Sequence, residues 1–223
     1  MKLIYQDFKT NVWQISNSLV KSNTYVLDLT DQENYLFVID PGSNVSELFH
    51  EFPEFTSRKF CILLTHGHFD HVAGIGHFLN YSSEIFLHKD DAVHINRNNF
   101  YLKALDHNYF IPKFPWRHID EFDSECFGIS VMLCPGHTSG SVVYKINDLV
   151  FTGDSLLANS IIAPTVKGNN PKQQINSIQS LLGQFKIETL FLPGHGSPLT
   201  FEQLLLVNSE FSELVRTGVN PWA

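Results

Sequence analysis

The sequence predicts an α/β protein made of two similar halves, each a β-sheet covered by helices on one side. Three observations lead there. Blocks of short apolar strands twice give way to strand–helix alternation. Glycine, proline and asparagine turns punctuate the chain at strand-sized intervals. The composition, 43% hydrophobic and 17% charged over 223 residues, is that of a chain with ample core.

Taken in order, residues 23–29 and 35–39 are strands separated by the polar turn 30–34, a hairpin pattern. Asp40-Pro41-Gly42 ends the second strand, 43–52 reads as a helix stopped before Pro53, and 59–64 as a buried strand. Apolar residues at 72, 75, 78 and 79 predict a helix over 71–81. A strand over 84–87 and a short helix over 89–95 follow. Residues 96–125 are rich in aromatics, with Pro112 and Pro115 excluding a long helix.

The second half has strands at 127–134, 141–146 and 149–152, the last two joined by Asn147-Asp148. Asn170-Pro171-Lys172-Gln173 is a helix start with a cap residue and proline at the first helical position. That helix runs to about 185, a last strand covers 188–192, and Thr200-Phe201-Glu202-Gln203 caps a C-terminal helix to about 216.

Bulk properties narrow the partners. Formal net charge is −8 and no run of Lys or Arg exceeds two. A nucleic-acid or anionic-membrane partner would want a basic stripe. The three cysteines, Cys61, Cys126 and Cys134, form no CxxC and suggest a reducing compartment. No apolar run reaches the length of a membrane span. The expectation is a cytoplasmic protein acting on a small molecule, with no nucleic-acid or membrane partner and an oligomeric state left open.

The chemistry concentrates in histidine, of which there are 11. Residues 65–71 read THGHFDH, directly after an apolar strand. Imidazole nitrogen and carboxylate oxygen at this spacing suit zinc or iron. Three further segments repeat one construction, an apolar run, a glycine-containing turn and a ligand-type side chain. They are Cys134-Pro135-Gly136-His137, Thr152-Gly153-Asp154 and Leu192-Pro193-Gly194-His195. Loops at the same end of a strand scaffold can converge on one point. The remaining histidines, His50, His77, His88, His94, His107 and His118, read as surface or core residues. Of these, His107 and His118 flank the aromatic segment and are open to a substrate role. Ser139 and Ser141 read as structural.

The set His66, His68, Asp70, His71 in HxHxDH, His137 in PGHT, Asp154 in GD and His195 in PGH resembles the metallo-β-lactamase-fold superfamily, over nearly the whole chain. The resemblance implies an αββα four-layer sandwich, two β-sheets flanked by helices, as one domain over 1–223, with 96–125 as a candidate substrate-site loop. It implies two divalent metal ions, zinc foremost, with iron or manganese also suited. His66, His68 and His137 would hold one ion and Asp70, His71 and His195 the other, with Asp154 bridging. Asp70 and Asp154 are the carboxylates placed at the reacting centre. Asp40 would orient a ligand imidazole from behind; a turn-capping Asp before Pro-Gly is the other reading of that position. The implied nucleophile is a metal-bridging hydroxide.

Branches of the superfamily differ at positions visible here. Asp154 stands where β-lactamases with a metal-binding Cys would carry it, His68 where the flavo-diiron branch has Glu, and Ser155-Leu156-Leu157 where lactonases carry Tyr. The strings 151–157 and 192–196 are most similar to glyoxalase II, which hydrolyses S-acylglutathione thioesters. The family's basic and aromatic glutathione contacts fall on 160–165, where this chain has no Arg, Lys or Tyr; Lys167 is the nearest cation. The reading is therefore a glyoxalase II-like thioester or ester hydrolase. Two alternatives stand beside it, a mononuclear-iron persulfide dioxygenase-like enzyme using His66, His137 and Asp154, and a lactonase or other small-molecule metallohydrolase.

Overall fold

A computed structural model describes residues 1–105, 107–161 and 169–218. The sequence features at 162–165, Lys167 and 219–223 lie outside the described residues. Two compact units divide the chain, Met1–Phe122 and Asp123–Ala223.

The first unit holds β1 (Lys2–Gln6), β2 (Thr10–Ser16), β3 (Asn23–Leu29), β4 (Tyr35–Ile39), α1 (Ser46–Glu51), β5 (Lys59–Leu63), α2 (Phe69–Val72), β6 (Ser83–Leu87), α3 (Ala92–Ala104) and β7 (Arg117–His118). Its seven strands pair in sequence order. The first four are antiparallel and β4 to β7 are parallel. The expected 23–29/35–39 hairpin is present, with Val26 opposite Val38. Strands β4 and β5 are buried almost throughout, as a parallel strand covered on both faces must be. Val38, Phe60, Ile62, Leu48, Ile75 and Phe78 belong to one core cluster that joins the sheet to its helices.

The second unit holds α4 (Ser124–Phe127), β8 (Ser130–Leu133), β9 (Val142–Ile146), β10 (Leu149–Gly153), α5 (Pro171–Leu181), β11 (Leu190–Pro193), β12 (Leu199–Thr200), α6 (Phe201–Val207) and α7 (Ser209–Thr217). The five-stranded order is β12-β11-β10-β9-β8, with β10 and β11 parallel and the other pairs antiparallel. Asn147, at φ +51, makes the tight turn between β9 and β10. Both sheets are flanked by helices, as the sequence led one to expect, and the pairing shows that both are mixed. The Asn170 cap on Gln173 and the reciprocal Thr200–Gln203 capping box are also in place.

Several elements differ from expectation. The helix foreseen over 71–81 is α2 followed by a separate 3-10 turn, Ile75–Phe78. The Gly74 N–H donates to Pro41 O at 2.8 Å, and the Asp70 carbonyl accepts from Ser22 Oγ at 2.9 Å. Both halves of the bond that would continue the helix are therefore committed to other loops. A Cβ on Gly74 would fall 2.2 Å from Gly42 O, so only glycine allows this approach.

The short helix foreseen over 89–95 extends to Ala104, and the strand foreseen from 127 starts only at Ser130. Before it, Asp123 caps α4 and Gly128 ends that helix at φ +64. The single C-terminal helix is two, broken at Asn208, whose Nδ2 donates to Leu157 O at 2.9 Å while its Oδ1 caps Phe211 N. In the 96–125 segment Leu102, Ile111 and Phe114 join the core, whereas Phe100 and Phe110 are exposed.

Candidate metal centre

The polar residues foreseen from sequence sit at strand ends. In the first unit, parallel β4 and β5 finish at the same edge, so Asp40 and the 65–71 loop emerge together. Thr65, His66, Asp70 and His71 are buried, and His68 is half-buried.

Asp40 organises this half. Its backbone adopts φ +52, a left-handed conformation that few non-glycine residues visit. The carboxylate accepts Thr65 N at 2.8 Å on Oδ1, and Thr65 Oγ1 at 2.6 Å and His71 Nδ1 at 2.9 Å on Oδ2. Its carbonyl accepts from Thr24 Oγ1 at 2.7 Å. A carboxylate only accepts, so the His71 proton sits on Nδ1 and the Nε2 lone pair faces the opposite way. The Thr65 hydroxyl spends its proton on Asp40, so it accepts the Nδ1 proton of His66 at 3.1 Å. His66 too is left with a lone pair on Nε2. One carboxylate thereby sets the tautomer of two imidazoles, directly for His71 and through Thr65 for His66. Asp40, His66 and His71 each offer a donor atom within 4.8 Å of the others. With three hydrogen bonds on its oxygens, Asp40 serves as the orienting partner of such a set.

On the other side of His71, Nε2 lies 3.4 Å from Asp70 Oδ2. Two ligands, each about 2.0–2.1 Å from a tetrahedral ion, are about 3.3–3.4 Å apart. The separation is long for a hydrogen bond and right for a shared cation.

In the second unit β8, β10 and β11 all run in one direction, so their C-terminal ends share an edge. His137, Asp154 and His195 follow those three ends. Asp154 Oδ2 lies 3.5 Å from His137 Nε2 and 3.5 Å from His195 Nε2. One carboxylate oxygen thus faces two imidazole nitrogens at ligand–ligand distance. His137 and Asp154 are buried, and His195 is half-buried.

Each unit therefore brings its own sequence-foreseen residues together. The first collects Asp40, His66, His68, Asp70 and His71; the second collects His137, Asp154 and His195. The donor set, imidazole and carboxylate with two tautomers fixed for ligation, fits divalent zinc or iron.

Supporting residues were not foreseen. Buried Gln174 on α5 donates through Nε2 to Asp154 O at 3.0 Å, Ser155 O at 2.9 Å and Ile161 O. Gly136, at φ +144, lies so close to α5 that a Cβ would meet Gln174 Cα at 2.3 Å. In the first unit Asp91, His94 and Asn98 close over Gly67. Their spacing of three and four residues places them on one helical face, the sole signal visible in sequence. His94, a surface or core residue on sequence alone, packs its ring edge-on against His68 at 4.8 Å between centroids. His88 and His118 accept backbone N–H groups at turn starts, a structural role.

The cysteines stay outside this chemistry. Burial raises the Cys61 thiol far above its ordinary value and pushes Cys134 up to about 12. Neither supplies a thiolate near neutral pH. The three form no disulfide. No helix among the described residues is long and apolar enough to cross a membrane.

Comparison with known proteins gives the same picture. The sequence matches the metallo-beta-lactamase superfamily profile over residues 18–195. The "Probable metallo-hydrolase YqgX" of Bacillus subtilis is 28% identical over 184 residues, 79% of this chain and 86% of that protein. The "Hydroxyacylglutathione hydrolase" of Shewanella baltica is 27% identical over 162 residues, 72% of this chain and 57% of that longer protein. The crystal structure of TTHA1623 in a di-iron-bound form shares a TM-score of 0.77 at 27% identity, covering 88% of this chain and 98% of that one. The chain belongs to the metallo-beta-lactamase superfamily, as a metallo-hydrolase of that fold.

Proposed function

We propose that the protein hydrolyses a small-molecule thioester or ester with two divalent ions, zinc foremost, held by seven side chains. In this reading His66, His68 and His137 would hold one ion and Asp70, His71 and His195 the other, with Asp154 available to both. The observation that carries this reading is the Asp40–Thr65 network, which presents the Nε2 lone pairs of His66 and His71. Asp154 Oδ2, equidistant from His137 and His195, suits a carboxylate shared through one oxygen.

Two ions bound there would acidify a common water toward neutral pH and polarise an acyl carbonyl. This chain's own residues provide the rest. Buried Asp70 and Asp154 offset the cationic charge and orient a water for attack. A thiolate leaves without a strong general acid, and no Ser or Cys nucleophile is needed. The exposed rings of Phe100 and Phe110 in the 96–125 segment supply apolar substrate surface in this reading. The relative named hydroxyacylglutathione hydrolase supports the thioester class. A net charge of −8 and three cysteines without a disulfide suit a cytoplasmic enzyme on a small molecule, without nucleic acid or membrane.

The test is metal analysis of protein purified without added metal, with turnover of S-lactoylglutathione, simple aryl thioesters, aryl esters and lactones before and after chelation. Two metals per chain and chelator-sensitive thioester or ester turnover are expected. One iron per chain with oxygen uptake on a persulfide would replace this reading by the dioxygenase one, and turnover of lactones alone by the lactonase one.

A further inference from the structure

Gly67 lies between His66 and His68, and both its peptide groups are held by one face of α3. Its N–H donates to Asp91 Oδ2 at 2.6 Å, and its carbonyl accepts from Asn98 Nδ2 at 3.0 Å. Between these two anchors along the helix, His94 packs its ring on His68 and its Cβ over Gly67. A Cβ on Gly67 would stand 2.8 Å from Asp91 O and 3.2 Å from His94 Cβ. The helix and the loop are therefore in contact with no room to spare.

Asp91 and Asn98 are costly choices for any other purpose. Asp91 ends the 3-10 turn Lys89–Asp91 that leads directly into α3, with its backbone already helical at φ −92, ψ −3. Here its side chain makes no cap hydrogen bond and reaches the loop instead, fully buried. Asn98 is a polar residue in mid-helix, 1% exposed, with poor helix propensity. Buried polar groups are kept where they are bonded, and both of these bonds end on the same glycine.

We propose that the Asp91–His94–Asn98 face of α3 is a positioning device that sets the ligating geometry of the His66–His68 pair. The proposal rests on the reading of those histidines as ligands of one ion. Two imidazoles two residues apart aim at a common point only when the peptide between them has one orientation. Asp91 fixes that orientation from the N–H side and Asn98 from the C=O side, while His94 limits rotation of the His68 ring. The device bears on the His66–His68 side: His66 is shared with the Asp40–Thr65 network, which holds His71 directly, whereas the bonds from Asp91 and Asn98 both end on Gly67.

The experiment uses the full chain, metal-free, titrated with zinc against a chromophoric chelator, with amide exchange at Gly67 followed by NMR. Asn98→Ala is expected to weaken one binding step about 10–100-fold and leave the other within about threefold. It should also speed Gly67 exchange in the metal-free protein. His94→Ala should weaken the same step, and His94→Phe, which keeps the packing without a ring nitrogen, should restore it. Asp91→Asn, which keeps an acceptor for Gly67, should fall between wild type and Asn98→Ala. Equal weakening of both steps, or no change in either, overturns the proposal, as does unchanged Gly67 exchange. Loss of thioester turnover is not a readout, so a wrong substrate assignment leaves the result intact. Absence of zinc binding to wild type would instead strike the ligand reading.

Discussion

Asp40 accepts the Nδ1 proton of His71 across 2.9 Å from a backbone held at φ +52. That conformation costs about 1 kcal/mol for a residue with a side chain. It aims one carboxylate at three donors, Thr65 N, Thr65 Oγ1 and His71 Nδ1. Asp40→Asn tolerates the backbone but sets an amide N–H against one of those donors. Metal affinity should fall about 10–100-fold and stability by about 1–3 kcal/mol. Chelator competition and urea unfolding read the two effects; unchanged affinity would remove Asp40 from its orienting role.

Asp154 and His137 are assigned to the ions themselves. Asp154→Ala or His137→Ala should lower bound metal below two per chain and turnover by on the order of 100-fold or more. Elemental analysis of the folded variants, alongside initial rates, checks this. Full metal content with wild-type turnover in either variant would refute the assignment.

Metal removal should also soften the fold. A ligand that binds only the native state, present at about 100 times its Kd, adds about 2.7 kcal/mol per site. Chelation is therefore expected to lower the thermal midpoint, and zinc to restore it in a concentration-dependent way. A midpoint indifferent to chelator would mean that the donors hold no ion of consequence.

Gln174 binds three carbonyls in the Asp154–Ile161 loop from beneath. Gln174→Ala strands at least two buried acceptors and should cost about 2–4 kcal/mol. Gly136→Ala should cost a similar amount, because φ +144 and the 2.3 Å approach to Gln174 both exclude a Cβ. Urea denaturation measures both, and losses under about 0.5 kcal/mol would contradict the packing described.

The thiols predict an alkaline limit. Burial raises Cys61 and takes Cys134 to about 12, from about 8.5 in an unfolded chain. The native state thus binds protons that the unfolded state releases. This stabilisation is complete below about pH 8.5 and is lost as pH climbs toward the folded values. Its loss runs at up to about 1.4 kcal/mol per pH unit per thiol. A thiol reagent at pH 8 should label exposed Cys126 and spare the other two until the protein unfolds. Fast labelling of all three in the native state would contradict the burial.

Much of the candidate site was legible in the chain because its candidate ligands follow strands at glycine turns. The local spacing of HxHxDH and the repeated strand–glycine–ligand pattern at 137, 154 and 195 are properties of short segments. So are the caps at Asn170 and Thr200, where side chain and backbone lie three residues apart. The helix expected over 71–81 is interrupted at Gly74, and the single C-terminal helix expected to about 216 is broken at Asn208. The Gly74 backbone N–H goes to Pro41, and the Asn208 side-chain amide goes to Leu157 while its backbone leaves the helix at ψ +97; both partners are remote in sequence, and periodicity does not record them.

The sequence by itself determined the family, the two sheets flanked by helices and the identity of the candidate ligands, since each is encoded in local pattern and residue chemistry. Only the tertiary structure decided which nitrogen of His66 and His71 is presented for ligation. It also decided that Asp40 is the hub behind them, that Gln174 carries the Asp154 loop, and that Asp91, His94 and Asn98 close on Gly67. Apart from the Thr65–His66 contact, those relations join residues 13 or more positions apart. They exist only once burial has removed water as the competing hydrogen-bond partner.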